Sequence, residues 1–128
     1  MFSASFTEKQ QAVFLDVLDQ LIMADGVRTS HEMFKFKGFQ KQFSGVIAEH
    51  VPTEDLKNIF IDRKDRIAVM LELLSIPLAE GFVSEDDRIF LEKINQSLEL
   101  EPKDMSWMTL WVENMLFLVS QATNFMEG

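Results

Sequence analysis

Apolar positions along this chain recur every three to four residues, which is the spacing of helices packed by one face. Phe14, Leu15, Leu18, Leu21 and Ile22 form the first such stripe. Ahead of it, Thr7-Glu8-Lys9-Gln10 has the form of a capping box, and Gly26 behind it suits the left-handed residue that ends a helix. Thr29-Ser30-His31-Glu32 is a second capping box. It opens a helix whose inward stripe is Phe36, Phe39 and Phe43, with Ile47 as the last candidate and Gly38 as a local weakness. Pro52-Thr53-Glu54-Asp55 starts a short helix with Leu56 and Phe60 as core candidates. Ile67, Met70, Leu71 and Leu74 line the next helix, in which Pro77 should tighten the last turn before Gly81. Ser84 caps a helix carrying Ile89, Phe90, Leu91, Ile94 and Leu98, and Pro102 suits the first position of a final helix reaching about Phe125. No stretch keeps a period of two. The pattern predicts an all-α fold, a single compact domain over residues 1–128 with about six to seven helices.

The chain also matches itself at an offset of 55 residues. Ala24-Asp25-Gly26 falls on Ala79-Glu80-Gly81, Thr29 on Ser84, and Glu32 on Asp87. Phe36, Phe39 and Phe43 fall on Leu91, Ile94 and Leu98, while upstream Leu15 meets Met70 and Leu18 meets Leu73. Each position keeps its physical role, so two pseudo-symmetric helical hairpins on a shared core are expected, with Gly26 and Gly81 both at positive φ.

This repeated unit resembles the TerB-like, or tellurite-resistance, family. The matching segments are Met23-Ala24-Asp25-Gly26-Val27-Arg28-Thr29-Ser30-His31-Glu32 and Leu78-Ala79-Glu80-Gly81-Phe82-Val83-Ser84-Glu85-Asp86-Asp87. Leu98-Glu99-Leu100 sits like the closing Leu-Gly-Leu of that family. The second copy departs from the pattern by Glu80 in place of Asp and by Pro77 just before it. The resemblance implies a helical domain, metal binding at acidic helix corners, and a place in a stress-response or membrane-associated assembly.

Composition narrows the chemistry. Without cysteine there is no disulfide, thiolate metal site or cysteine nucleophile. A net charge of −9 opposes phosphate contacts, so no nucleic-acid partner is expected. Met1-Phe2-Ser3-Ala4-Ser5 lacks the basic and apolar regions of a signal peptide. The richest apolar stretch is broken by Glu113 and Asn114, so no transmembrane helix is expected. Together these features predict a cytoplasmic location.

Three constellations are candidates for function. The first is the acids of the two corners: Asp25, Glu32, Glu80 and Asp87, with Asp86 nearby. If the hairpins pack side by side, these carboxylates converge on a hard divalent cation, calcium or magnesium. If instead they serve as helix caps and turn residues, the corners lie apart and each acid faces its own helix start. An EF-hand is excluded, because a calcium loop centred on Gly26 would place Leu21 and Met23 at ligand positions. His31-Glu32-Met33-Phe34-Lys35 lacks the second histidine of a zinc helix. The second constellation is a basic island, Lys35, Lys37 and Lys41 among phenylalanines, able to meet an acidic partner or to be a core helix with solvated lysines. In the third, Met108, Trp111, Met115, Leu118, Ala122 and Phe125 form a heptad-like seam, with a second apolar stripe on another face. That helix is either the central one of the domain or a contact with a protein partner or a second copy. No nucleophile, phosphate loop or acid–base pair points to catalysis, so an enzyme is not expected. The expected function is a non-catalytic binding domain that senses a divalent cation. The alternative is a purely structural protein–protein interaction module without metal.

Overall fold

The computed structural model describes residues 2–128; of the N-terminal segment read above, Met1 lies outside them. Six α-helices follow one another: α1 (Glu8–Ile22), α2 (Ser30–Gln42), α3 (Leu56–Ile59), α4 (Arg63–Ala79), α5 (Glu85–Ser97) and α6 (Pro102–Glu127). A 3-10 turn at Phe2–Ser5 precedes them, and another at Thr53–Asp55 runs into α3. No strand occurs among the described residues. The fold is all-α.

The helix ends follow from local chemistry. At α1, Thr7 Oγ1 accepts the Gln10 amide at 3.2 Å and Gln10 Oε1 accepts the Thr7 amide at 2.9 Å. At α2, Thr29 and Glu32 make the same reciprocal pair at 3.1 and 2.8 Å. Ser84 accepts the Asp87 amide at 3.1 Å, but the Asp87 side chain does not accept the Ser84 amide to complete a capping box. Pro77 lies inside α4, and the last turn tightens behind it. The Glu80 and Gly81 amides reach back only three residues, to the carbonyls of Pro77 and Leu78. Gly26 and Gly81 have φ of 78° and 107°, a region that costs an L-residue with a Cβ.

The offset of 55 holds at the level of whole elements. α1 and α4 both begin at corresponding positions, and α2 and α5 share both bounds. The ends of α2 and α5 also repeat in detail. Ser44 and Glu99, at φ of 53° and 59°, occupy equivalent left-handed positions. Behind them Gly45 bonds back to Gln40 at 3.1 Å and Leu100 to Asn95 at 3.0 Å, the six-to-one link of a Schellman stop. Gln10 and Asp65, equivalent residues of the two hairpins, touch across the pseudo-symmetric pair at 3.3 Å.

The core gathers around α1 and α4. Phe14, Leu15, Leu18, Leu21 and Ile22 of α1 and Met70, Leu71, Leu73 and Leu74 of α4 are buried, as their spacing predicts. Each such side chain contributes about 1.5–3 kcal/mol on burial. Phe6 meets Phe14 and Phe60 at tilted angles at one end, and Phe39 and Phe43 add edge-on contacts to Phe14. Two expectations fail here. Ile47 lies past the turn that ends α2 and is exposed, and Ile89 points outward from α5 while Leu91 and Ile94 take the inner face. The final helix is not the central one either. Only Met108 and Val112 of α6 are buried, and α6 lies along α4 and α5 at the periphery.

Two polar contacts went unforeseen. Glu72, buried in the middle of α4, accepts from the Ser3 hydroxyl at 2.8 Å and the Ser3 amide at 3.3 Å, so the first turn is tied to the central helix. Arg66, in the first turn of α4, donates to the carbonyls of Phe60 at 2.6 Å and Lys57 at 2.9 Å and closes the end of α3.

Candidate functional site

The two acidic corners meet. Asp25 lies in the turn after α1, where its Oδ1 accepts the Val27 amide at 2.9 Å. Glu32, buried in the first turn of α2, points back at the Thr29 amide. The Thr29 hydroxyl bridges the hairpins: it caps Glu32 and donates to Oε1 of Glu80 at 2.8 Å. Asp87 occupies in α5 the place that Glu32 holds in α2. It is 8% exposed, and its Oδ1 makes no hydrogen bond.

The Thr29–Glu80 bond and the charges felt at Asp87 bring Asp25, Glu32, Glu80 and Asp87 into one neighbourhood. Asp87 registers the crowding. Burial pushes its carboxyl above the usual aspartate range, the Ser84 hydroxyl pulls it down, and the charges of Asp25, Glu32 and Glu80 push it up again. The cause is plain: a carboxylate removed from water, with three negative neighbours, favours its neutral form. In the arrangement seen, no three carboxylates or histidines among the described residues stand close enough to hold one metal ion. Asp25 and Glu80 are exposed at the rim, whereas Glu32 and Asp87 are fixed in first helical turns. Asp86 faces solvent.

The histidines form no pair. His31 Nε2 is enclosed without a hydrogen-bond partner, and His50 is exposed and contacts Asp16 at 2.8 Å. The lysines of the basic island, Lys35, Lys37 and Lys41, are all exposed. Phe36 and Phe39 are partly buried and Phe43 is buried, but Phe34 is three-quarters exposed and stands out among the lysines. Between α5 and α6 runs a groove of about 890 Å³, floored by Leu74, Leu91 and Leu100. Asn95 borders it, with Nδ2 donating to the Glu101 carbonyl at 3.1 Å and Oδ1 unpaired. Nothing in the residue pattern marks Asn95, since its burial depends on how the turn at Glu99 folds back.

No helix among the described residues is long and apolar enough to cross a membrane. No protein-family model, curated protein or solved structure matches this chain.

Proposed function

We propose that the chain is a cytoplasmic, non-catalytic binding domain of the TerB-like kind, whose acidic corner takes up calcium or magnesium and presents that state to a protein partner. One observation carries the reading: Asp87 is a buried carboxylate with a free oxygen, and the charges acting on it from Asp25, Glu32 and Glu80 are all negative. A hard cation supplies the missing partner and offsets the repulsion. Asp25 and Glu80, exposed at the rim, turn inward to complete the oxygen shell, with water filling the remaining positions. The stress-response or membrane-associated setting follows from the family resemblance alone.

A specific observation favours a second reading, a structural interaction module without metal. Three of the four acids already have work in the fold: Asp25 closes its turn, Glu32 completes a cap, and Glu80 receives the Thr29 hydroxyl. Calorimetry and thermal melting of the purified chain separate the two. Calcium or magnesium at a hundredfold excess over its dissociation constant should add about 2.7 kcal/mol to stability. Asp87→Asn should abolish the effect. No heat and no melting shift with millimolar calcium, magnesium, manganese or zinc leaves the metal-free module as the function.

A further inference from the structure

We propose that the outward face of α6 binds a second copy of this chain, forming a symmetric dimer. The helix has 26 residues, a length of about 39 Å at the usual rise, but its contacts with the core run only from Met105 to Leu116. Met108 and Val112 are buried, and Met105 and Leu116 are partly covered. This turns the expected seam: Met108 belongs to the core, so the free line runs through Trp107, Trp111, Leu118 and Phe125. Their spacings of four and seven residues keep them on one side of a helix. Leu110 and Phe117 widen the same face. Exposure ranges from 37% at Trp111, where the ring of Phe2 covers one edge, to 88% at Phe125.

The area matches what a stable pair needs. Four aromatic side chains, of about 150–250 Å² each, and two leucines make up this face and at 37–88% exposure leave roughly 700 Å² open. A standard interface takes about 800 Å² from each partner. Charge selects the occupant. Between Met105 and Met126 the one ionisable residue is Glu113, which borders the groove beside α5, so the face itself carries no charge where two chains of charge −9 meet. A partner chosen by charge complementarity finds nothing here to read. A lipid surface is disfavoured as well, because an interfacial helix presents lysines and arginines beside its apolar face and α6 has only Lys103. Antiparallel pairing about Asn114 sets Trp111 against Phe117 and Leu110 against Leu118 across the two-fold axis. It also keeps the two acidic bodies at opposite ends. A central asparagine facing its own copy fixes register in such pairs.

Sedimentation equilibrium of the full chain tests this independently of the cation site. The expected mass is twice 14.8 kDa at micromolar concentration, with or without chelator. Leu118→Glu should raise the dissociation constant about 30-fold or more, as loss of a central anchor does. Leu118 is 63% exposed, so the variant should keep its helical circular dichroism. Leu110→Glu serves as a second variant with the same expected result. A wild-type chain that stays monomeric at about 100 μM overturns the proposal, being weaker than any stable pair of this area. A dimer indifferent to both glutamates overturns it too, as does a monomer that instead sediments with phosphatidylserine vesicles.

Discussion

Asp87 shows how a residue with ordinary local credentials acquires an unusual environment. An acid in the first turn of a helix normally gains about 0.3–1 kcal/mol from the helix dipole. Here burial, and after it the charges of Asp25, Glu32 and Glu80, push the carboxyl above its ordinary value of 3.8 against the pull of the Ser84 hydroxyl. A group whose proton is held more tightly in the folded state costs stability once it is charged. The cost is absent below the ordinary aspartate value, builds as pH rises through the raised value, and is complete at neutrality. Asp87→Asn keeps the shape and removes the charge, so in chelator it should melt higher than the wild type at pH 7. The difference should vanish as pH falls below about 4. If the Asp87→Asn variant proves less stable than wild type at pH 7 in chelator, the charge is welcome in the corner. The identity of Asp87 as an N3 acid was legible from Ser84 three residues before it. Its isolation was not, because it depends on where α1 ends relative to α5.

At the scale of elements, the ends of helices were the most legible part of the chain. Hydroxyls, acids and glycines at fixed offsets act on their own backbone, and tertiary packing does not redirect them. Thr29→Ala and Ser84→Ala should therefore each lower stability by about 1 kcal/mol in denaturant melts. Thr29→Ser should restore most of the loss, since it keeps both the acceptor for Glu32 and the donor for Glu80. Unchanged midpoints in both alanine variants would mean that the caps contribute nothing. What failed at this scale failed for one reason. Periodicity gives a stripe but not its limits, so Ile47 and Ile89 extend apolar patterns beyond the turns that actually face the core. The left-handed Ser44 and Glu99 were not legible, because neither is glycine. The α6 helix was legible as apolar on two faces. Which face the domain uses was decided by the neighbouring α4 and α5, whose surfaces no local pattern describes.

At the scale of the whole molecule, the two hairpins α1–α2 and α4–α5 share one core. Leu18 and Leu73 occupy equivalent places, both are fully buried, and both belong to a single cluster that runs from Phe6 to Val112. If each hairpin had its own core, a cavity in one would leave the other standing. With a shared core, the damage belongs to the entire chain. Leu18→Ala should therefore cost about 2–5 kcal/mol, as truncation of a fully buried leucine does. The loss should appear identically to two probes. Far-UV circular dichroism reports all the helices. Tryptophan fluorescence reports only α6, where Trp107 and Trp111 lie. That helix packs mainly on α4 and α5 of the second hairpin, while Leu18 lies on the first. Coincident midpoints for both signals, shifted together in Leu18→Ala and in Leu73→Ala, are the expected outcome. A Leu18→Ala protein that loses part of its helix while its tryptophan signal holds to a higher denaturant concentration would show two separate units. The 55-residue repeat would then describe neighbours joined end to end, and not halves of one core.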